Sequence, residues 1–183
     1  MSEVARFLAD LDSISNEATA KFSGLNADQI NFKPSADSWS VGQCFEHLIL
    51  TNDQITGAVE RVADGSHVNS FWENWSPFTS FFGNFLIKSM KRDDKKFKVP
   101  SKSIVPPSNV DPQIVAKFIE NNAMLIDLFG KIDSVDPEKI VITSPFMGLV
   151  TYKLAHGMTI IVEHERRHLR QAERVTIIDG FPS

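Results

Sequence analysis

A single cysteine, Cys44, stands in 183 residues, which excludes a disulfide within the chain. No apolar run approaches the roughly 20 residues that a membrane-crossing helix needs; stretches such as 158–162 are core-sized. Met1, Ser2, Glu3, Val4, Ala5 and Arg6 lack the basic start and apolar stretch of a secretory signal, so the cytoplasm is the expected compartment. Positive charge is not in excess either. A formal charge of −4 gives no basic footprint for nucleic acid. Internal repeats, low-complexity tracts and sustained strand alternation are also missing, and isolated runs such as 139–143 are too short to make a sheet. The expectation is a chain that engages neither nucleic acid nor membrane.

What is present is 42% apolar residues, enough for one continuous core, so 1–183 is read as one domain. Four segments carry helical periodicity. The first, about 3–22, repeats Val4, Phe7, Leu8, Leu11, Ile14, Ala18 and Phe22. After a turn-rich stretch at 26–38, Ser40 and Gln43 make a capping box for a helix to about 64, with Val41, Phe45, Leu48, Ile55, Val59 and Val62 on one flank. Asp111 as N-cap and Pro112 in first position open a third helix to about 131. A fourth begins near 148–151 and continues to 175. The 46-residue connection 65–110 is far longer than an ordinary helix-to-helix turn. It holds Phe71, Trp72, Trp75, Phe78, Phe81, Phe82 and Phe85, a charged run at 91–98 that reads as a solvated loop, and a segment near 78–90 able to form a short extra helix. The fold class is all-α: a four-helix bundle with a long crossover between the second and third helices. The aromatics of the crossover are expected to be buried against the bundle or a second subunit, because so many exposed together favour aggregation.

The fourth helix breaks its own pattern. Its seam runs Val150, Leu154, Gly157, Ile161 and then His164, His168, Gln171 before returning to Val175. Two histidines at i and i+4 share a face and reach one ion; Gln171, three residues on, shares that face and suits a ligand water or substrate. The plainer alternative is an exposed polar patch among Glu163, Glu165, Arg166, Arg167 and Arg170. The same residues spell H-E-x-x-H, a zinc-peptidase motif whose glutamate acts as general base, but Gln171 and Arg174 stand where the extended form has glycine and histidine. Glu165 is the candidate catalytic base, although one residue along a helix turns its side chain about 100° from His164. With only fifteen residues after His168, a third ligand is expected from upstream. The second helix has a stripe of small and polar residues, Ser40, Cys44, His47, Thr51, Gln54 and Ala58. His47 sits in its middle. A lone histidine is more often a hydrogen-bonded or surface residue than a ligand, and spacing does not decide the matter. Cys44 reads as a fourth ligand or, more simply, as a small buried hydrophobe. Thr51, Gln54 and Gln171 are candidates to support the site or touch substrate. His67 and His156 are read as non-ligands.

The pieces DSWSVGQCFEHLI at 37–49 and HGMTIIVEHERRHLRQAERV at 156–175 resemble the two signature regions of the DinB-like, or YfiT-like, metalloenzyme superfamily. The resemblance implies a four-helix bundle with a long crossover, a homodimer, and a three-histidine site with His47 on the second helix and His164 and His168 on the last. Gln171 matches a glutamine common after the second of that pair. It further implies a divalent metal, zinc or nickel suiting imidazole ligands, and a small-molecule substrate handled either by hydrolysis or by transfer of a low-molecular-weight thiol such as bacillithiol or mycothiol. The competing expectation is a metal-binding stress-response or interaction module without turnover.

Overall fold

The computed structural model describes residues 1–92 and 101–183. Its main helices are α1 (Glu3–Phe22), α3 (Val41–Ala63), α6 (Ile114–Gly130) and α7 (Leu154–Thr176). Each buries the stripe its periodicity marks, and Phe22, Phe45, Phe118, Phe129, Leu11 and Leu48 fill the centre. The four close into a ring in which α1 and α3 each pack on both α6 and α7. Ion pairs from Asp10 to Arg166 and from Lys21 to Glu173 show that α1 and α7 run in the same direction. The all-α bundle is what the hydrophobic pattern predicts.

The capping box at Ser40 forms as expected: Ser40 Oγ accepts from the Gln43 amide at 3.1 Å, and Gln43 Oε1 accepts from the Ser40 amide at 3.2 Å. The Gln43 amide group also donates to the Pro107 carbonyl at 2.9 Å, tying the returning connection to the start of α3. The short helix α2 (Ala27–Asn31), inside the stretch read as turns, has its own capping box from Asn26 and Gln29. It lies so close to α3 that a Cβ on Gly42 would meet Ile30 Cγ2 at 2.8 Å.

Two helix starts and one short run depart from expectation. Residues 148–151 do not start the last helix, because Thr151–Lys153 forms strand β2, antiparallel to β1 at Val141–Thr143. A sheet does form from the short run near 139–143, with only these two strands. Asp111 is not the N-cap of α6, since its carboxylate accepts from the Gln113 amide in a preceding turn and the helix begins at Ile114.

The long connection carries α4 (Phe71–Trp75), α5 (Thr79–Met90) and a 3-10 turn at Lys102–Ile104. The extra helix expected near 78–90 is α5, which packs along α7 and β2. The bundle does not bury the aromatics as anticipated: Phe71, Trp75, Phe78, Phe81 and Phe85 are 57–74% exposed. Helices α4 and α5 lie on the outside of the hairpin and α7, so one flank of each finds a partner and the other does not. Most of the charged run at 91–98 lies outside the described residues. No helix among the described residues is long and apolar enough to cross a membrane.

Candidate metal centre

Helices α3 and α7 bring His47, His164 and His168 together, one ring nitrogen of each lying within 4.8 Å of the others. His47 and His168 are buried and His164 is partly so. His47 Nδ1 donates to the Ile104 carbonyl at 2.7 Å, which leaves Nε2 bare and aimed at the other two rings. That backbone contact is a familiar way to fix a ligating histidine's tautomer and orientation. It comes from the 3-10 turn, so the end of the long connection positions the ligand from α3. His47 Nε2 and His164 Nε2 stand 3.3 Å apart. Two nitrogens each about 2.0–2.1 Å from a tetrahedral zinc are separated by about 3.3–3.4 Å. The pair is already at a coordination edge.

Electrostatics favour the ligand form. Burial, then the neighbouring His47 and Arg167, pushes His164 down to about 3. His168 is held well below its usual range by burial, then by His164, His47 and Arg167, with Gln171 opposing. Burial lowers His47 too, against the Ile104 bond. All three rings are therefore neutral near pH 7, as metal binding requires. His168 Nδ1 is buried without a hydrogen-bond partner, a cost that ligation or an ordered donor removes. The donor set fits a divalent ion.

Trp39 covers the cluster, its ring stacked on His168 with centroids 5.6 Å apart and tilted against His47 at 4.9 Å. Sequence reasoning missed Trp39 as a site residue. Its place directly before the Ser40 cap, two turns ahead of His47, was the only signal. Among the other candidates, Gln171 lies against His168, the Thr51 hydroxyl donates to the His47 carbonyl at 2.7 Å, and Gln54 is exposed. Cys44 is buried in the hydrophobic core, which pushes its thiol up to about 12, as a small hydrophobe. His67 bonds Asn69 and the Val141 carbonyl, and neither His67 nor His156 joins the cluster.

Glu165 is fully buried. Its Oε1 accepts from Asn52 at 2.9 Å and its Oε2 from Asn122 at 3.2 Å. Burial pushes its carboxyl up to about 7 in spite of those bonds.

A sequence profile of the DinB superfamily matches residues 10–172, a span holding all three histidines. The chain belongs to the DinB superfamily. No curated protein and no solved structure gives a significant match. Superfamily membership and the three-histidine cluster together fit a metal-binding protein of this group.

Proposed function

We propose that this DinB-superfamily protein is a metal-dependent enzyme acting on a small molecule, either as a hydrolase or as a transferase of a low-molecular-weight thiol. The observation that carries the reading is the number of ligands. Among the described residues the cluster offers three imidazoles and no fourth histidine, cysteine or carboxylate, the pattern of a site with an open position rather than a closed structural one. Zinc or nickel held there supplies Lewis acidity to a water or a thiol at that position. The chain's own groups do the rest: the Ile104 carbonyl orients His47, Trp39 walls one side of the cluster, and Gln171 stands beside His168. Gln171 and Thr51 are the candidates to hold ligands or substrate in place, and a cytoplasmic setting accords with a thiol cosubstrate. The test is a panel of esters, amides, and electrophiles paired with small thiols, run on metal-loaded and chelated protein. Turnover that requires the metal and is lost in His164→Ala supports the reading; a metal-loaded protein inert throughout favours a binding module.

A specific observation favours self-association alongside catalysis. Phe71, Trp72, Trp75, Phe78, Phe81 and Phe85 are 42–74% exposed, and α5 with Met147 and Val150 lines an apolar groove. At 150–250 Å² per aromatic side chain, these six expose roughly 700 Å², close to the roughly 800 Å² per partner of a stable interface. The occupant we assign is a second copy of this chain.

A further inference from the structure

The bundle core contains a polar belt that the metal site does not itself need for ligation. Glu165 on α7 receives Asn52 from α3 and Asn122 from α6. Asn122 also donates to Ser15 on α1 at 3.2 Å, and Asn52 to Asn121 at 3.0 Å. All four main helices meet at this level. Asn52, Asn121, Asn122 and Glu165 are each at most 4% exposed. Buried polar groups of this kind contribute little net stability, and well-packed apolar residues of the same volume often do better. Their strength is directional, because hydrogen bonds fix angle and register where apolar contacts tolerate sliding.

The belt sits beside the histidines on both ligand-bearing helices. Glu165 adjoins His164 in sequence, and Asn52 follows His47 by five residues on α3. The 2.9 Å Asn52–Glu165 bond is therefore a direct strut between the helix that supplies one ligand and the helix that supplies two. A helix rotation of 10° swings an imidazole nitrogen lying about 6 Å from the axis by about 1 Å, beyond the roughly 0.5 Å within which a site must be held. The 3.3 Å His47–His164 separation depends on that rotation being fixed.

We propose that Glu165 is a positioning residue: with Asn52 and Asn122 it locks the rotation of α7 against α3, and so sets the distance from His47 to the His164 and His168 pair. This rests on the metal-site reading but not on any activity. It gives the glutamate of the H-E-x-x-H run a role its geometry supports, since both oxygens are engaged by amides inside the core. Reach, rather than charge, is what the strut requires.

Cobalt(II) binding to Glu165→Asp and Glu165→Gln separates those two requirements, with circular dichroism confirming the fold of each variant. Glu165→Asp keeps the carboxyl group and loses one methylene of reach; it is expected to bind cobalt about 10-fold more weakly, in the range of outer-shell changes, with an altered visible spectrum. Glu165→Gln keeps the reach. It accepts from Asn52 and, once the Asn122 amide rotates, donates to the Asn122 oxygen that lacks a partner in the parent; the rotation gives up the Asn122–Ser15 bond but leaves the Asn52–Glu165 strut in place, so affinity within about 3-fold of the parent and an unchanged spectrum are expected. If Glu165→Asp does not fold, Asn52→Ser shortens the strut from the other side and carries the same expectation. Parent-like cobalt binding in the shortened variants, or loss of binding in Glu165→Gln alone, overturns the proposal. Failure of the parent protein to bind any metal overturns the metal site as well.

Discussion

Replacing Gly83 with alanine tests how α5 is seated on α7. A Cβ built there would lie 2.4 Å from His156 Nδ1, 2.5 Å from Cγ and 2.9 Å from Cβ. These atoms include the root of the histidine side chain, so no swing of a flexible end relieves the overlap. Either the His156 rotamer or the whole of α5 must move. Alanine gains about 1 kcal/mol over glycine in a helix interior, whereas overpacking costs about 1–3 kcal/mol. A net loss of about 1 kcal/mol is expected. Gly57 on α3 is the control, because its Cβ would meet nothing nearer than Arg61 Nη1 at 3.9 Å, leaving the propensity gain unopposed. Urea unfolding followed by circular dichroism should show Gly57→Ala more stable than the parent by up to about 1 kcal/mol and Gly83→Ala less stable. Adding His156→Ala to Gly83→Ala removes the Nδ1 and Cγ overlaps but keeps the Cβ at 2.9 Å, so it should recover part of the loss, and His156→Gly should recover more of the packing cost. Equal stabilisation by the two alanines would refute the close approach of α5 to α7.

The metal-free protein should lose stability in mild acid. His164 and His168 stay neutral in the fold while the unfolded chain takes up protons below about 6.5, costing about 1.4 kcal/mol per pH unit for each ring. Glu165, with its folded value raised to about 7, works the other way: its stabilising contribution is present at low pH and is lost as pH rises from about 4.5 toward 7. His164 and His168 against one carboxylate leave a net loss of at least about 1.4 kcal/mol per pH unit as pH falls from about 6.5 to 4.5, to which the lowered His47 and His156 add in the same direction, and urea midpoints that are flat or rise across that window would contradict it. Cys44→Ala should cost about 1 kcal/mol of stability and leave metal stoichiometry intact, whereas loss of metal from folded protein would make the thiol a ligand. Trp75→Glu with Phe81→Glu should convert a dimer to monomers in sedimentation velocity; a parent protein that is already monomeric rules out the second-copy interface.

The main helices were legible because each needs one apolar stripe, and Val4 to Phe22 and Val41 to Val62 display theirs without interruption. Short elements were not: α2 hangs on a single capping box, and β2 exists only because Thr151–Lys153 finds Val141–Thr143 across a loop. At the site, the i and i+4 histidines and the break in the seam could be read along one helix. His47 could not be joined to them by periodicity, and resemblance made that link. What stayed hidden depends on tertiary encounters, namely the Ile104 carbonyl on His47, Trp39 over His168, and the amides of Asn52 and Asn122 on Glu165. The exposed aromatics mark the opposite error, since apolar composition says that a face will seek cover and not whether this chain alone provides it.

Metal content per folded chain tests the central claim most directly. After loading with zinc or nickel and removal of excess, the parent should retain about one ion, consistent with a single three-imidazole site. His47→Ala, His164→Ala and His168→Ala should each fall sharply while circular dichroism stays helical. His67→Ala should retain the parent value, and His156→Ala should lose far less than the three. A folded His47→Ala that keeps its full complement would contradict the account, for it would remove α3 from the site.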